Sequence, residues 1–242
     1  MDKNLELENL VITYWDSRAK DFSSFRQDEF HSVQHDKWLE ELKSKIPASG
    51  PLKILDVGCG SGFLAAVLAQ LGHQVVGVDL SPQMVAQAQQ FAAAEGLGIT
   101  FACMDAVELQ FADASFDCVL SRNLTWTVQN LEAAYKEWLR VLKPGGLIIN
   151  FDAEYAKDFA VEREQKHAAH VDCSEEQNRQ CAQIYDMLTI SQLQRPAYDM
   201  QVVSKLGASC TIDEAVSSRI YDDPTSRYYI PCNMFCVQIR KG

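Results

Sequence analysis

Along the first 50 residues apolar positions recur at helical intervals. Tyr14, Trp15, Arg18, Ala19 and Phe22 share one such spacing and Val33, Trp38, Leu39, Leu42 and Ile46 another, so two amphipathic helices are expected. Pro47 to Pro51 mark the linker that ends them. Beyond it the pattern changes to short apolar runs separated by helix-length segments. Strands are expected near 53–57, 74–79, 99–103, 117–121 and 147–151. Alternation of this kind builds a parallel sheet covered on both faces. The clearest helix carries an apolar stripe of Leu131, Ala134, Tyr135, Trp138, Leu139 and Leu142.

From Ala153 to Arg195 the chain turns polar and rich in Gln and Glu, which reads as helix without strand, ended by Arg195-Pro196. A helix from Tyr198 to Leu206 is expected to stop at Gly207. Two last strands, near Ala215–Tyr221 and Met234–Ile239, complete the pattern. The organisation expected is a helical lid over residues 1–50 and a ligand-binding domain over 51–242, with a helical cap inserted at 153–196.

Chemistry concentrates at Ile54-Leu55-Asp56-Val57-Gly58-Cys59-Gly60-Ser61-Gly62, a short strand followed by glycines at every second position and a helix start. Glycines allow a sharp turn and a close ligand approach, and the helix start offers unpaired N–H groups. A dinucleotide frame of G-x-G-x-x-G/A fails from Gly58, where Phe63 takes the third small position. It passes from Gly60 through Gly62 and Ala65, with Asp79 at a suitable distance. The glycines therefore leave two nucleotide classes open.

The acids discriminate. Asp56 just before the first glycine suits an ammonium group rather than a pyrophosphate. Asp79 ends the second strand and can accept both ribose hydroxyls, while Asp105 follows the third and can accept an adenine amino group. One such acid is equally well a helix cap. Three at successive strand ends favour ligand binding.

These motifs resemble those of the class I S-adenosylmethionine-dependent methyltransferases. Asp56 to Gly62 is similar to the first motif and Asp79-Leu80-Ser81-Pro82-Gln83-Met84 to the second-strand motif. Met104-Asp105-Ala106, Phe116-Asp117-Cys118-Val119 and Leu142-Lys143-Pro144-Gly145-Gly146 follow in family order, covering roughly residues 50 to 152. The resemblance implies an α/β, doubly wound, mostly parallel seven-stranded sheet with an antiparallel last strand, and S-adenosyl-L-methionine as cofactor. It implies that Asp56 helps hold the methionyl ammonium, that Gly58, Cys59 and Gly60 line the methionyl and ribose part, and that Asp79 with Leu80 takes the ribose. Met84 would pack on adenine, and Asp105 with Ala106 would read its edge. Arg122 or Asn123 would meet the methionyl end, and the lid residues Tyr14 and Arg18 would touch the cofactor.

The acceptor is less legible. Trp126 after the fourth strand offers an aromatic wall for a flat or cationic acceptor, and equally a packing surface. Candidates for removing a proton are His31, His35, Asp152 and Tyr155. Ser121-Arg122-Asn123-Leu124 departs from the Asn/Asp-Pro-Pro-aromatic motif of nucleobase and amide N-methyltransferases, which leaves O-, N- or S-methylation of a small molecule. A nicotinamide-dependent oxidoreductase and a non-catalytic S-adenosylmethionine-binding protein are the other classes kept open.

A formal net charge of −11 argues against a nucleic-acid substrate. No apolar run approaches a membrane span, and Met1-Asp2-Lys3-Asn4-Leu5-Glu6 lacks a signal-peptide pattern, so the cytoplasm is expected. The eight cysteines, among them Cys103, Cys118, Cys232 and Cys236 in expected strands, read as buried hydrophobes in a reducing compartment. His167, His170 and Cys173 recur at three-residue steps with Cys181 further on. They lack a close Cys pair, so no metal site is expected.

Overall fold

A computed structural model describes residues 3–47, 50–155, 173–229 and 233–242. Five strands run in the expected places: β1 Lys53–Val57, β2 Gln74–Asp79, β3 Thr100–Cys103, β4 Phe116–Arg122 and β5 Leu142–Asp152. With β6 Ser209–Asp213 and β7 Phe235–Arg240 they form one seven-stranded sheet ordered β3-β2-β1-β4-β5-β7-β6. All pairs among β1 to β5 are parallel, and β7 lies antiparallel between β5 and β6.

Side chains alternate between two cores because successive residues of a strand face opposite ways. Ile54, Cys118, Leu120 and Ile149 point to one face, beside α3 (Phe63–Gln70) and α4 (Pro82–Ala94). Leu55, Val57, Val119 and Ile148 point to the other, beside α5 (Leu131–Val141) and α7 (Ala197–Lys205). Of the expected stripe on α5, Leu131, Ala134, Tyr135 and Trp138 are buried and Leu139 is half-buried, while Leu142 already belongs to β5 and Val141 completes the buried face. Local signals set the helix starts. Ser81 and Asn130 accept N–H bonds from Met84 and Ala133 at the starts of α4 and α5.

The amino-terminal segment forms α1 (Lys3–Phe30) and α2 (Val33–Lys45). Helix α1 straddles the sheet: Leu7 and Tyr14 belong to one core and Phe30 to the other. It packs against α4 and against α6 (Glu175–Met187), which lies in the polar segment read as helix.

One expectation fails. Residues 215–221 are not a strand: Val216–Ile220 is a short helix, α8, and the edge strand β6 lies earlier. Val216 and Ile220 are both fully buried, at a spacing of four that a helix and a strand alike place on one face. Strand β6 is legible only weakly because it pairs with β7 alone and buries Cys210 and Ile212 partly.

Beneath the end of β5 lies a buried polar network. The Tyr135 hydroxyl donates to Asp199 Oδ1 at 2.7 Å and accepts from Asn150 Nδ2 at 2.9 Å. Replacing Tyr135 with Phe removes one bond from each partner while Asp199 keeps Arg195 and Asn150 keeps Thr125, so urea denaturation should show a loss of about 1 kcal/mol. A midpoint matching the parent would refute that bond's role.

Candidate active site

Going from β1 to β2 to β3 the sheet grows one way, and from β3 to β4 it crosses to the other side of β1. Where strand order reverses, the carboxyl ends of β1 and β4 part and a crevice opens. A cavity of 390 Å³ lies there, bounded by the glycine turn, the ends of β2 to β4 and the underside of α1.

The turn after β1 is shaped by backbone strain that glycine relieves. Gly58, Gly60 and Gly62 have φ of +68°, +52° and +88°. A Cβ on Gly58 would fall 2.9 Å from Cβ of Leu124. The N–H groups of Gly58 and Cys59 both donate to the Val78 carbonyl, at 2.8 and 3.0 Å, and Gly60 N–H donates to Asp79 Oδ2 at 2.8 Å. Asp79 Oδ1 accepts from Ser81 N–H at 2.9 Å, so this carboxylate holds the turn and the start of α4 together.

Asp56, Asp79 and Asp105 all line the cavity, as do Gly58, Cys59, Gly60, Leu80, Met84, Ala106, Arg122, Asn123, Trp126 and Tyr155. Asp56 is 2% exposed, and its Oδ2 has no hydrogen-bond partner among the described residues. Burial first, then the nearby Asp79 charge, pushes its carboxyl up to about 7. Burial also raises Asp79 above the usual carboxylate range, against the N–H bonds of Ser81 and Gly60. Asp105 accepts from Val107 N–H at 3.0 Å, closing the turn beside the cavity.

The lid contributes unequally. Tyr14 is buried on the wall, its hydroxyl facing Cys181 and raised by that burial foremost. Arg18 does not reach the cavity: it is buried with Nη1 on Cys173. Asp16, unmarked by any motif, accepts from Ser81 Oγ and from Gln83 N–H at 3.3 Å, clamping α1 to the start of α4. Phe22 and Arg26 line the cavity too. Counting by fours from Tyr14 through Arg18 and Phe22 reaches Arg26, a signal present in the sequence.

The proton-removing candidates separate. His31 and His35 are absent from the cavity wall. His31 has a side chain 61% exposed and meets Glu95 at 3.2 Å, and His35 meets Gln70 at 2.6 Å. Glu95 and Gln70 close α4 and α3, which return against the strands. Both histidines therefore stand at the opposite end of the sheet from the crevice. Asp152 is fully buried, and its carboxylate takes Thr125 Oγ1, Trp126 N–H at 2.8 Å and Arg195 Nη1 at 3.1 Å. It is not on the cavity wall; it positions the loop after β4. Tyr155 does reach the cavity, and its hydroxyl donates to Asn123 Oδ1 at 2.8 Å.

Trp126 stacks on Tyr185 with centroids 5.1 Å apart, and Tyr155 meets it edge-on at 5.7 Å. Tyr185, from α6, also lines the cavity and went unmarked in the sequence. His167, His170 and Cys232 lie outside the described residues. Among the described residues no three His, Cys, Asp or Glu side chains form a metal-ligand set. No described helix is long and apolar enough to cross a membrane.

Such a sheet, with its glycine turn and three acids near the strand ends, is an open α/β domain with a crevice where its strand order reverses. Residues 55–150 match the family model described as a methyltransferase domain. Over 97 residues the chain is 38% identical to a ubiquinone biosynthesis O-methyltransferase of Parvibaculum lavamentivorans, covering 40% of this chain and 38% of that protein. The chain spans about half or less of the length of the curated relatives it matches. Among solved structures, a SAM dependent methyltransferase from Aquifex aeolicus shares the fold with a TM-score of 0.60 at 13% identity, over 91% of this chain and 98% of that one. Haemonchus contortus phosphoethanolamine N-methyltransferase 2, solved with S-adenosyl-L-methionine, gives 0.60 at 22% identity, over 85% and 52%. Residues 55–150 thus carry a methyltransferase domain, in a sheet that shares the fold of the S-adenosylmethionine-dependent methyltransferase structures it resembles.

Substituting Gly58 by Ala combines a positive φ with a contact against Leu124. Chemical denaturation should show a loss of about 2–4 kcal/mol. Parental stability in that variant would disprove the turn's dependence on glycine.

Proposed function

We propose that this chain transfers a methyl group from S-adenosyl-L-methionine to an O, N or S atom of a small-molecule acceptor. The carrying observation is Asp56 Oδ2, a buried carboxylate oxygen on the cavity wall that has no partner among the described residues. Such an atom is costly unless a ligand donor meets it. An α-ammonium group supplies the donor and the compensating charge.

The other wall residues fit the rest of the cofactor. Asp79 would take the ribose hydroxyls with its remaining acceptor capacity, beside Leu80. Met84, Asp105 and Ala106 would hold the adenine. The turn from Gly58 to Gly60 and the Arg122–Asn123 segment would line the methionyl chain, with Tyr14 closing over it from the lid. Residues 1–50 would act as that lid, over a domain spanning 51–242 that carries a cap at 153–196.

The bound cofactor supplies an electrophilic methyl on a sulfonium. What the protein adds is orientation and exclusion of water. Helix α1, clamped by Asp16, covers the crevice, and the Trp126–Tyr155–Tyr185 cluster gives the acceptor an apolar wall. Of the four proton-removing candidates only Tyr155 stands at the cavity, and its hydroxyl already donates to Asn123. We assign it the positioning of an acceptor atom.

Titration with S-adenosylhomocysteine tests the reading: the folded chain should bind in the micromolar range or tighter, and no binding would sink it. Asp79→Ala should weaken that affinity about tenfold or more, since a charge-assisted pair of hydrogen bonds is lost. An unchanged constant would remove the ribose assignment.

Asp56 adds a pH dependence. Its carboxyl sits near 7 in the free protein, so it is ionised above that pH and neutral below. The ammonium is attracted only to the ionised form. Affinity should therefore be steady near pH 8 and weaken as pH falls through 7 toward 5.5, and Asp56→Asn should flatten the profile. A parent protein whose affinity ignores pH across that window contradicts the ammonium contact.

A further inference from the structure

We infer that the end of the cavity around Arg26 is a subsite for a carboxylate carried by the methyl acceptor, an assignment that rests on the methyl-transfer reading above. Arg26 and Arg122 both line the cavity, with side chains only 10% and 7% exposed. They share one counter-ion. Arg26 Nη1 donates to Glu29 Oε2 and Arg122 Nη2 to Glu29 Oε1 at 3.3 Å. The Tyr221 hydroxyl accepts from Arg122 and donates to Glu29 Oε1 at 3.4 Å, and Asp56 is a second carboxylate within reach of the Arg122 charge. Arg122 Nε has no hydrogen-bond partner among the described residues.

Among the described residues two buried guanidinium groups hydrogen-bond a single carboxylate and Arg122 Nε is left without an acceptor, an arrangement that suits an incoming anion. Guanidinium is a planar fork matched to a carboxylate. Composition does not explain a cationic pole here, because the chain as a whole carries a formal net charge of −11.

Position separates the two arginines. The charges acting on Asp56 are those of Asp79 and Arg122, which puts Arg122 at the proposed amino-acid end of the cofactor. Those acting on Arg26 come from Glu29, Tyr221 and Tyr155. Tyr155 leads into the aromatic wall, edge-on to Trp126, which stacks on Tyr185. Arg26 itself lies over Phe22, 4.8 Å from the ring centroid. A cation beside flat apolar walls describes a ligand with a flat apolar body and an acidic group at one end. That is an aryl carboxylic acid.

The test titrates the full chain, saturated with S-adenosylhomocysteine, with benzoate, phenylacetate and 4-hydroxybenzoate and with their neutral amides. At least one acid should bind about tenfold or more tightly than its amide. Arg26→Met leaves Glu29 paired with Arg122, and it should make acid and amide equal while S-adenosylhomocysteine binds as before. Arg26→Lys, which keeps the charge but not the fork, should retain part of the preference.

No binding of any acid, equal binding of acid and amide, or a preference that survives in Arg26→Met overturns the assignment. So does a different pattern, in which Arg26→Met weakens S-adenosylhomocysteine and the parent binds the decarboxylated analogue of that thioether equally poorly. The carboxylate read by Arg26 would then be the cofactor's own. Failure of the parent to bind S-adenosylhomocysteine at all would strike the methyl-transfer reading itself, and that is seen before any acid is added.

Discussion

The structure hangs on the fastening between the end of β2 and the turn after β1. Two N–H groups of the turn converge on the Val78 carbonyl, and a third meets the Asp79 carboxylate that also holds Ser81 N–H. A chain with successive positive φ angles at Gly58, Gly60 and Gly62 has little intrinsic preference for that path. The contacts to β2 select it. Once it is fixed, the N-terminus of α3 faces the crevice, Leu124 packs where a Gly58 side chain would have been, and Asp56 lines the cavity with one buried oxygen unpartnered among the described residues. The geometry at β4 thus depends on glycines in a turn sixty-odd residues earlier.

Two buried polar networks fix what surrounds this turn, one on each side. Beneath the β4 and β5 ends, Arg195 is held by Asp199 at 2.7 Å and reaches Asp152 and Thr125. That network ties the loop carrying Trp126 to the start of α7, across a gap in sequence of about 70 residues. On the other side Glu29 joins α1 to the end of β4 through Arg122. Buried ion pairs of this kind add little net stability, because desolvation offsets most of the attraction. Their effect is geometric: they give a 28-residue helix a definite height above the sheet.

What was legible in the sequence follows from what each residue does alone. Asp56, Asp79 and Asp105 were readable because strand ends in a parallel sheet have fixed addresses, and all three do line one cavity. The β1 to β5 order and the α5 stripe were readable through periodicity. His31, His35 and Asp152 were not, since a titratable residue near the expected rim in sequence says nothing about the pole of the sheet it occupies. The two histidines sit on helix ends that return to the far side, and Asp152 is consumed by Arg195 and Thr125. Strand β6 was misplaced because an edge strand buries too little to carry an apolar signal, while the buried pair Val216 and Ile220 nearby mimicked one. Asp16 and Tyr185 escaped for a further reason: each acquires meaning only by packing against a distant element, whereas Arg26 could be reached by counting along α1 from Tyr14.

The cavity is also electrically graded, and the grading bears on how ligands enter. Asp56 and Asp79 lie toward β1 and β2, whereas Arg26 and Arg122 lie toward the α1 and β4 side. With burial raising both acids, a ligand that brings a positive charge to that end relieves a cost the free protein carries. At the arginine end two guanidinium groups hydrogen-bond one carboxylate and Arg122 Nε has no acceptor among the described residues, so an anionic group there would find a donor. The two ends are linked through Arg122, whose charge acts on Asp56. A cofactor with a cationic sulfonium between the two poles would then strengthen the pull on an anion at the far end. The coupling is reciprocal, so each ligand would strengthen the other's binding by the same factor, whichever enters first.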